Sequence, residues 1–394
     1  MDWGIPPGGV VSSVEVETTV PALVSCELEA SPAGTAISLK RTAGLRRCSG
    51  VSVVIVNYYQ WDNTRQLLRQ LRDCSAWSQG QVRVVVVDNG SSGNDWIDTV
   101  GGIRVRYESR NLGFAAGVNR GVRELDRWRW GIWRNEGQIQ EWLLLLNPDV
   151  TVPAGFLDAV LDIIDKLGTE EPRAGVVGLR LCNPDGSLQG SCGRFPTFGS
   201  TLRGLFRPRA WRKCQMLDTH QRQEVDWATG GCLLVRRDCF EQLGGLDESF
   251  FLYYEDVDFC HRAKAAGWQV FYEPRLAVTH HWPLHARSVP APLRLITRHA
   301  LMQFARKHWG RWSNIGLRGL VWFEALCREG WGRLRRRYRD STCYHQLRQL
   351  VGDMRQQRQQ SIRQRLAFAS RYLRTIAMAQ DRVPADPNHL DKGL

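Results

Sequence analysis

Three carboxylates, Glu255, Asp256 and Asp258, fall within four residues of the stretch FFLYYEDVDFCHRAKAAGW, Phe250 to Trp268. Carboxylates this close repel one another, and the aromatic and aliphatic run from Phe250 to Tyr254 keeps water from them. Both effects raise the pKa of one carboxyl, which suits a general base. The plainer reading is an acidic first helical turn, which the helix dipole favours. VDFCHRAKAA is helical in composition and Gly267 would end it. A dipole alone does not call for three carboxylates. On such a helix Glu255 and Asp258 share a face, and Asp256 points about 100° away from Glu255.

A second candidate is Asp149, at the end of WLLLLNPDV (Trp142–Val150). A carboxylate at the end of a buried strand is costly without a partner. A metal ion or ligand cation would compensate it; a turn or helix N-cap explains it equally well. The tripeptide recurs at Asn183–Asp185, where Gly186 makes NPDG a turn with no catalytic role. Asp88, in VVVVDNGSS, is either part of a tight connection or a hydrogen-bonding group for a nucleobase or ribose. His280 and His281 follow the strand-like FYEPRLAVT. They are structural, or they complete a metal site with Asp149, since imidazole and carboxylate both suit Mn²⁺.

These residues need elements that position them. VSVVIVN (Val51–Asn57) is a β-branched run typical of a buried strand, and Leu67, Leu68 and Leu71 follow at helical spacing. Val82–Asp88 is another buried strand, and IRVRYESR is a third with one exposed face. NLGFAAGVNRGVREL reads as a glycine-rich turn feeding a helix, and WLLLLNPDV as a fourth strand. Strand, helix, strand, strand, helix, strand points to a mostly parallel α/β sheet. Ligands of such sheets sit beyond the carboxyl ends of the strands, where Asp88 and Asp149 both lie. The tryptophan-rich DRWRWGIWRNEGQIQEW (Trp128, Trp130, Trp133) reads as an inserted packing element, with membrane-interface contact as the lesser alternative. Turns and short strands are expected up to Thr229, then a helix at RRDCFEQLGG with Gly244 as C-cap. Residues 1–50 read as a flexible extension and the last residues, from Asp381, as a disordered tail.

The chain has 394 residues, 43% hydrophobic and 24% charged, the composition of an ordinary globular protein. No apolar run approaches the ~20 residues that span a bilayer. The first basic residue is Lys40, so no secretory signal is visible. Eleven cysteines without a CxxC pair argue against a disulfide framework and a structural zinc, and for a cytoplasmic setting. No dinucleotide fingerprint, phosphate-binding P-loop or GxSxG elbow occurs, which disfavours nicotinamide enzymes, P-loop nucleotidases and the commonest serine hydrolases. The net charge is +13, yet Ala291–Thr375 alone holds 19 Lys and Arg against 4 Asp and Glu, or +15. That arginine-rich, helical segment suits an anionic membrane surface; a nucleic acid is the less favoured partner.

VSVVIVNYY, VVVVDNGSS, RNLGFAAGVNRG, LLLLNPDV, the block Ala228–Trp268 and AVTHH occur in an order that resembles the family-two inverting glycosyltransferases, most closely the bacterial rhamnosyltransferase-like branch. The resemblance covers roughly Ser52 to Trp309. It implies a GT-A fold: a mostly parallel sheet flanked by helices, here with a helical basic C-terminal extension. The implied division is a nucleotide-binding half (51–150), an acceptor-binding and catalytic half (151–290) and the extension (291–380). It implies transfer, with inversion, of a rhamnose-like or other hexose from a dTDP-, UDP- or GDP-linked donor to a lipid-linked or polysaccharide acceptor in cell-surface glycan synthesis. Residue by residue, Asn57 and Asp88 would meet base and ribose, with Asn111 and Gly113 in the same pocket. Asp149 matches the last carboxylate of a metal-binding Asp-X-Asp motif for Mg²⁺ or Mn²⁺, and His280 a histidine for metal or diphosphate. Asp256 matches the base, supported by Glu255, and Gly230 and Gly231 would let backbone approach the donor sugar. Asn147 stands where the first motif carboxylate would be, so metal binding rests on fewer charges. A sugar-phosphate nucleotidyltransferase is the other reading of such a sheet, but NYYQWDNTR replaces the glycine-rich, lysine-containing loop it would need.

Overall fold

The computed structural model describes residues 48–91, 102–128, 139–204, 217–282 and 289–381. All of them belong to the unit Arg47–Leu394. The expected extension (but for Cys48–Gly50), Trp130, Trp133 and the tail beyond Asp381 lie outside the described residues.

The first part of the sheet follows the expected order. It comprises β1 (Cys48–Asn57), α1 (Trp61–Arg72), α2 (Ser75–Ser78), β2 (Val82–Asp88), β3 (Ile103–Tyr107), α3 (Phe114–Asp126) and β4 (Ile139–Leu146). There follow β5 (Val150–Thr151), α4 (Phe156–Glu170), β6 (Ala174–Cys182), β7 (Cys192–Gly193), α5 (Phe198–Gly204), β8 (Gln223–Glu224), β9 (Trp227–Ala228) and β10 (Cys232–Arg236). Then come α6 (Arg237–Gln242), α7 (Glu255–Ala265) and β11 (Gln269–His280), and last α8 (Ala291–His308), α9 (Arg311–Leu334), α10 (Tyr338–Arg355) and α11 (Gln359–Ala379).

The strands order as β3-β2-β1-β4-β10-β6-β11-β5, with β8 paired to β11. β1, β2, β3 and β4 are mutually parallel, β6 and β11 are parallel, and β10 runs against both its neighbours. The valines of β1 alternate between the two faces as strand geometry requires. Val53 and Ile55 join Leu144, Phe156 and Ile164 on one side; Val54 and Val56 join Val118, Leu233 and Phe259 on the other. β2 is buried throughout because helices cover both faces. Edge strand β3 is only partly buried, as its charged alternation implies.

One element departs from the sequence reading. Between Val150 and Thr229, where turns and short strands are expected, α4 runs for 15 residues. Leu157, Val160, Leu161, Ile164 and Leu167 recur at spacings of three and four and are all buried, so the amphipathic pattern is present in the sequence. A third apolar core joins α8, α9, α10 and α11 through Leu295, Leu317, Val321, Leu350 and Leu366, and Phe251–Tyr254 pack against it. The basic extension is therefore built onto the segment that leads into α7.

Candidate active site

Register brings the candidate residues to one edge of the sheet. Asn57 stands beside Asp88, Ile55 beside Leu146, Cys232 beside Leu146, and His280 beside Val150. The carboxyl ends of β1, β2, β4 and β11 and the start of β10 thus border one region. A cleft of about 1190 Å³ lies there, lined by Asn111, Gly113, Asn147, Asp149, Gly230, Gly231, Glu255, Asp256 and His280 among others. Of the candidate site residues singled out in the sequence, Asn57, Asp88, Asp258 and His281 are the ones outside this lining.

The acidic helix divides its carboxylates. Glu255 and Asp256, its first two residues, line the cleft and are buried; Asp258 does not line it and is fully buried. The shared helical face of Glu255 and Asp258 does not decide access, because the cleft meets the helix at its N-terminal end. Asp256 Oδ2 accepts the Gly230 N–H at 3.1 Å and Oδ1 accepts the Val257 N–H at 2.8 Å. Those bonds fix the carboxylate beside the Gly230–Gly231 backbone. Asp258 instead receives Arg262 Nε at 2.8 Å, Lys307 Nζ at 2.6 Å and His308 Nε2 at 2.8 Å. Burial pushes its pKa up, but His308, Lys307 and Arg262 outweigh that and bring it down to about 2. Asp258 fastens α7 to α8.

Tyr253 and Tyr254 enter α7 with φ of +71° and +67°, a region costly for aromatic residues. Their surroundings hold them there. Tyr254 packs on Phe304 of α8 at 5.7 Å between ring centroids, and the Phe251 carbonyl accepts the Phe114 N–H at 2.8 Å. Gly113, at φ +92°, makes that approach feasible: a Cβ there would lie 2.3 Å from the Phe251 oxygen. The glycine-rich turn and the aromatic segment thus form one wall.

Asp149 and His280 converge, with His280 Nε2 3.6 Å from Asp149 Oδ1. Burial pushes the Asp149 carboxyl up, but His280 and its hydrogen bonds hold it below the usual range. Asn147 Nδ2 lies 3.4 Å from the same imidazole nitrogen. Gln189, not anticipated from sequence, sets the tautomer. Its amide nitrogen donates to Asn183 Oδ1 at 3.0 Å and to the His280 carbonyl at 3.2 Å, which turns Gln189 Oε1 to His280 Nδ1 at 2.7 Å. Nδ1 therefore carries a proton; Nε2 donates toward Asp149 when the ring is protonated and holds the lone pair in the neutral ring, where a metal ion would take it. One imidazole and one carboxylate form a donor set that fits Mn²⁺ or Mg²⁺. Among the described residues no group of three or more His, Cys, Asp or Glu is placed to hold a metal ion, which leaves room for ligands from the donor diphosphate or water.

Asn57 and Asp88 are placed differently from the rest. Both side chains are buried beneath the cleft, with Asn57 Nδ2 3.3 Å from Asp88 Oδ1. Asn57 Oδ1 also receives the Gln60 N–H and the Thr64 hydroxyl, and Asp88 Oδ1 the Ser91 N–H. Their neighbours Tyr58, Gln60 and Asn89 line the cleft instead. Asn89 is the organiser here: its amide donates to Asn111 Oδ1 at 3.1 Å and the Gly113 carbonyl at 3.0 Å, and its Oδ1 accepts the Leu112 N–H at 2.9 Å. The C-terminal helices also reach this end. Leu373, Ile376, Ala377 and Gln380 line the cleft, and the Arg374 guanidinium lies 4.7 Å over the Tyr59 ring.

The chain is similar to known proteins. The family model described as "Glycosyltransferase like family 2" matches residues 49–313. The N-acetylglucosaminyl-diphospho-decaprenol L-rhamnosyltransferase of Mycobacterium tuberculosis is 32% identical over 66% of this chain and 85% of its own. A low-salt glycan biosynthesis hexosyltransferase of Haloferax volcanii is 29% identical over 54% of this chain and 61% of its own. Among solved structures, GalNAc-T7 with UDP, GalNAc and Mn²⁺ covers 66% of this chain and 48% of its own at 15% identity and a TM-score of 0.45. The chain belongs to glycosyltransferase family 2 and is a rhamnosyltransferase-like member of it with a GT-A-type fold.

Proposed function

We propose that this glycosyltransferase inverts: it moves a rhamnose-like or other hexose from a nucleoside-diphosphate donor to a hydroxyl of a lipid-linked or polysaccharide acceptor. The observation that carries the reading is Asp256, buried at the cleft and held through both oxygens beside Gly230 and Gly231. An oriented carboxylate in this position can accept the proton of an acceptor hydroxyl as its oxygen attacks the anomeric carbon. The diphosphate then leaves on the opposite face, and no covalent intermediate is needed. Asp149 and His280 would hold a divalent ion, which when bound supplies positive charge toward the departing diphosphate. Glu255, buried next to the base, keeps the acceptor side of the cleft polar. The wall from Phe251 to Tyr254 excludes water that would otherwise compete as acceptor. The Mycobacterium tuberculosis relative carries a lipid diphosphate acceptor in its name, which supports a lipid-linked acceptor here.

Membrane association belongs to the same reading. No helix among the described residues is long and apolar enough to cross a membrane. Yet α9 exposes Trp312, Ile315, Trp322, Phe323, Trp331 and Leu334, with Arg311, Arg348 and Arg335 lying over Trp312, Trp322 and Trp331. Tryptophan with arginine suits the headgroup zone of an anionic bilayer on its cytoplasmic side.

The test is a thermal-shift panel of UDP, dTDP and GDP with and without Mn²⁺, followed by the anomeric configuration of the product made from the matching sugar donor. One nucleotide raising Tm more in the presence of Mn²⁺, and a product of inverted configuration, are expected. A retained configuration would overturn the assignment of Asp256 as base.

A further inference from the structure

The cleft extends well past the acidic helix. Its far wall is built by α8 and α9, and there three guanidiniums face one carboxylate. Arg298 Nε lies 2.8 Å from Glu324 Oε2, Arg328 Nε 3.0 Å from Oε1, and Arg294 Nη1 3.4 Å from Oε1. All four residues line the cleft. One carboxylate leaves this cluster with a net charge of +2, and its two oxygens cannot occupy the donors of three guanidiniums. Arg294 Nε is buried without a hydrogen-bond partner among the described residues. Arg294 and Arg298 are partly buried, where an anion gains more than it would in open water, and Arg328 reaches them from the exposed side.

Directly beside the arginines the wall turns apolar. Leu320 and Phe323 line the cleft above the buried Leu317 and Val321, and Phe323 is 60% exposed at the surface. Phe323 continues into the exposed tryptophans of α9. An anion site thus opens through an apolar strip onto the α9 face that exposes Trp312, Trp322 and Phe323. A free polysaccharide needs neither feature. A diphosphate joined to a hydrocarbon chain uses both.

We propose that Arg294, Arg298 and Arg328 bind the diphosphate of an isoprenoid-diphosphate-linked sugar acceptor, and that Leu320 and Phe323 seat the start of its lipid chain. The inference rests on the transferase reading and names its acceptor class. The sugar of such an acceptor would sit within the same cleft that Asp256, Asp149 and His280 line. Glu324 keeps the three guanidiniums preorganised and yields part of its hydrogen bonding when the diphosphate arrives.

The experiment is calorimetric titration of the full chain with farnesyl diphosphate, farnesol and inorganic pyrophosphate. It is done with chelator present, so that Asp149 and His280 hold no divalent ion. Farnesyl diphosphate is expected to bind roughly tenfold or more tighter than either fragment. The double variant Arg294→Ala, Arg298→Ala is expected to lose roughly tenfold or more in affinity for it. Glu324→Gln removes the competing charge at constant shape and is expected to tighten binding, which a misfolded protein would not do. Equal affinity for pyrophosphate and farnesyl diphosphate, or unchanged affinity in the double variant, would overturn the proposal. Binding through the arginines by a protein that transfers no sugar would sink the transferase reading and leave this site standing. Transfer to a lipid-free acceptor by a protein that ignores farnesyl diphosphate would do the reverse.

Discussion

Asp256 and Asp258 are two residues apart on one helix and have opposite surroundings. Among the described residues Asp256 accepts from backbone N–H groups at the cleft, whereas Asp258 sits among Lys307, His308 and Arg262. The spacing announced a cluster of carboxylates but could not say which one pairs with cations, because Lys307 and His308 arrive from a helix some fifty residues later. Asp258 takes the structural part, its pKa lowered to about 2 by these cations. A lowered carboxylate pKa adds stability above its ordinary value of 3.8 and loses it as pH falls toward 2. Asp258→Asn is therefore expected to cost about 2 kcal/mol or more at pH 7, with the gap to wild type closing below pH 3.8; urea melts across pH check this. Gln189 had no legible signal either, since a glutamine in a turn does nothing chemical by itself. Gln189→Leu frees the His280 tautomer and is expected to weaken Mn²⁺ binding by about tenfold or more in an EPR titration. Asn57 and Asp88 show the converse: their strand-end positions were readable, but their mutual hydrogen bond and burial were not.

At the scale of elements, the buried strands and the helix after Gly113 were legible because apolar periodicity and glycine punctuation are local. The N-terminal end of α7 was legible too, with Gly244 and Gly267 at positive φ just beyond α6 and α7. Helix α4 has equally regular apolar spacing, but it starts after Gly155 with no side-chain cap to mark its beginning. What no local pattern could reveal is that the turn at Gly113 and the segment Phe251–Tyr254 touch. Gly113→Ala forces a Cβ into the Phe251 carbonyl at a positive φ, and is expected to cost about 2 kcal/mol or more in urea unfolding. For α9, replacing Trp312 and Trp331 with Ser is expected to reduce co-sedimentation with phosphatidylglycerol vesicles several-fold while leaving Tm within a few degrees, because both rings are exposed. Unchanged sedimentation would remove α9 from the membrane contact.

The whole molecule joins a sheet that gathers Asp149, His280 and the Gly230–Gly231 backbone to a helical extension that walls the same cleft. The family match ends at residue 313, yet Leu320, Val321, Phe323, Glu324 and Arg328 from beyond it line the cleft alongside the catalytic candidates. The +15 charge of that extension was readable as a surface property; its part in the cleft wall depended on how four helices pack. The account turns on Asp256 as the group that takes the acceptor proton. Its most direct test is Asp256→Asn, assayed for sugar transfer and, separately, for donor nucleotide binding by calorimetry. The account predicts that turnover falls by 10²-fold or more, roughly the contribution of a general base, while donor affinity stays within about threefold of wild type. Near-wild-type turnover in that variant would contradict it.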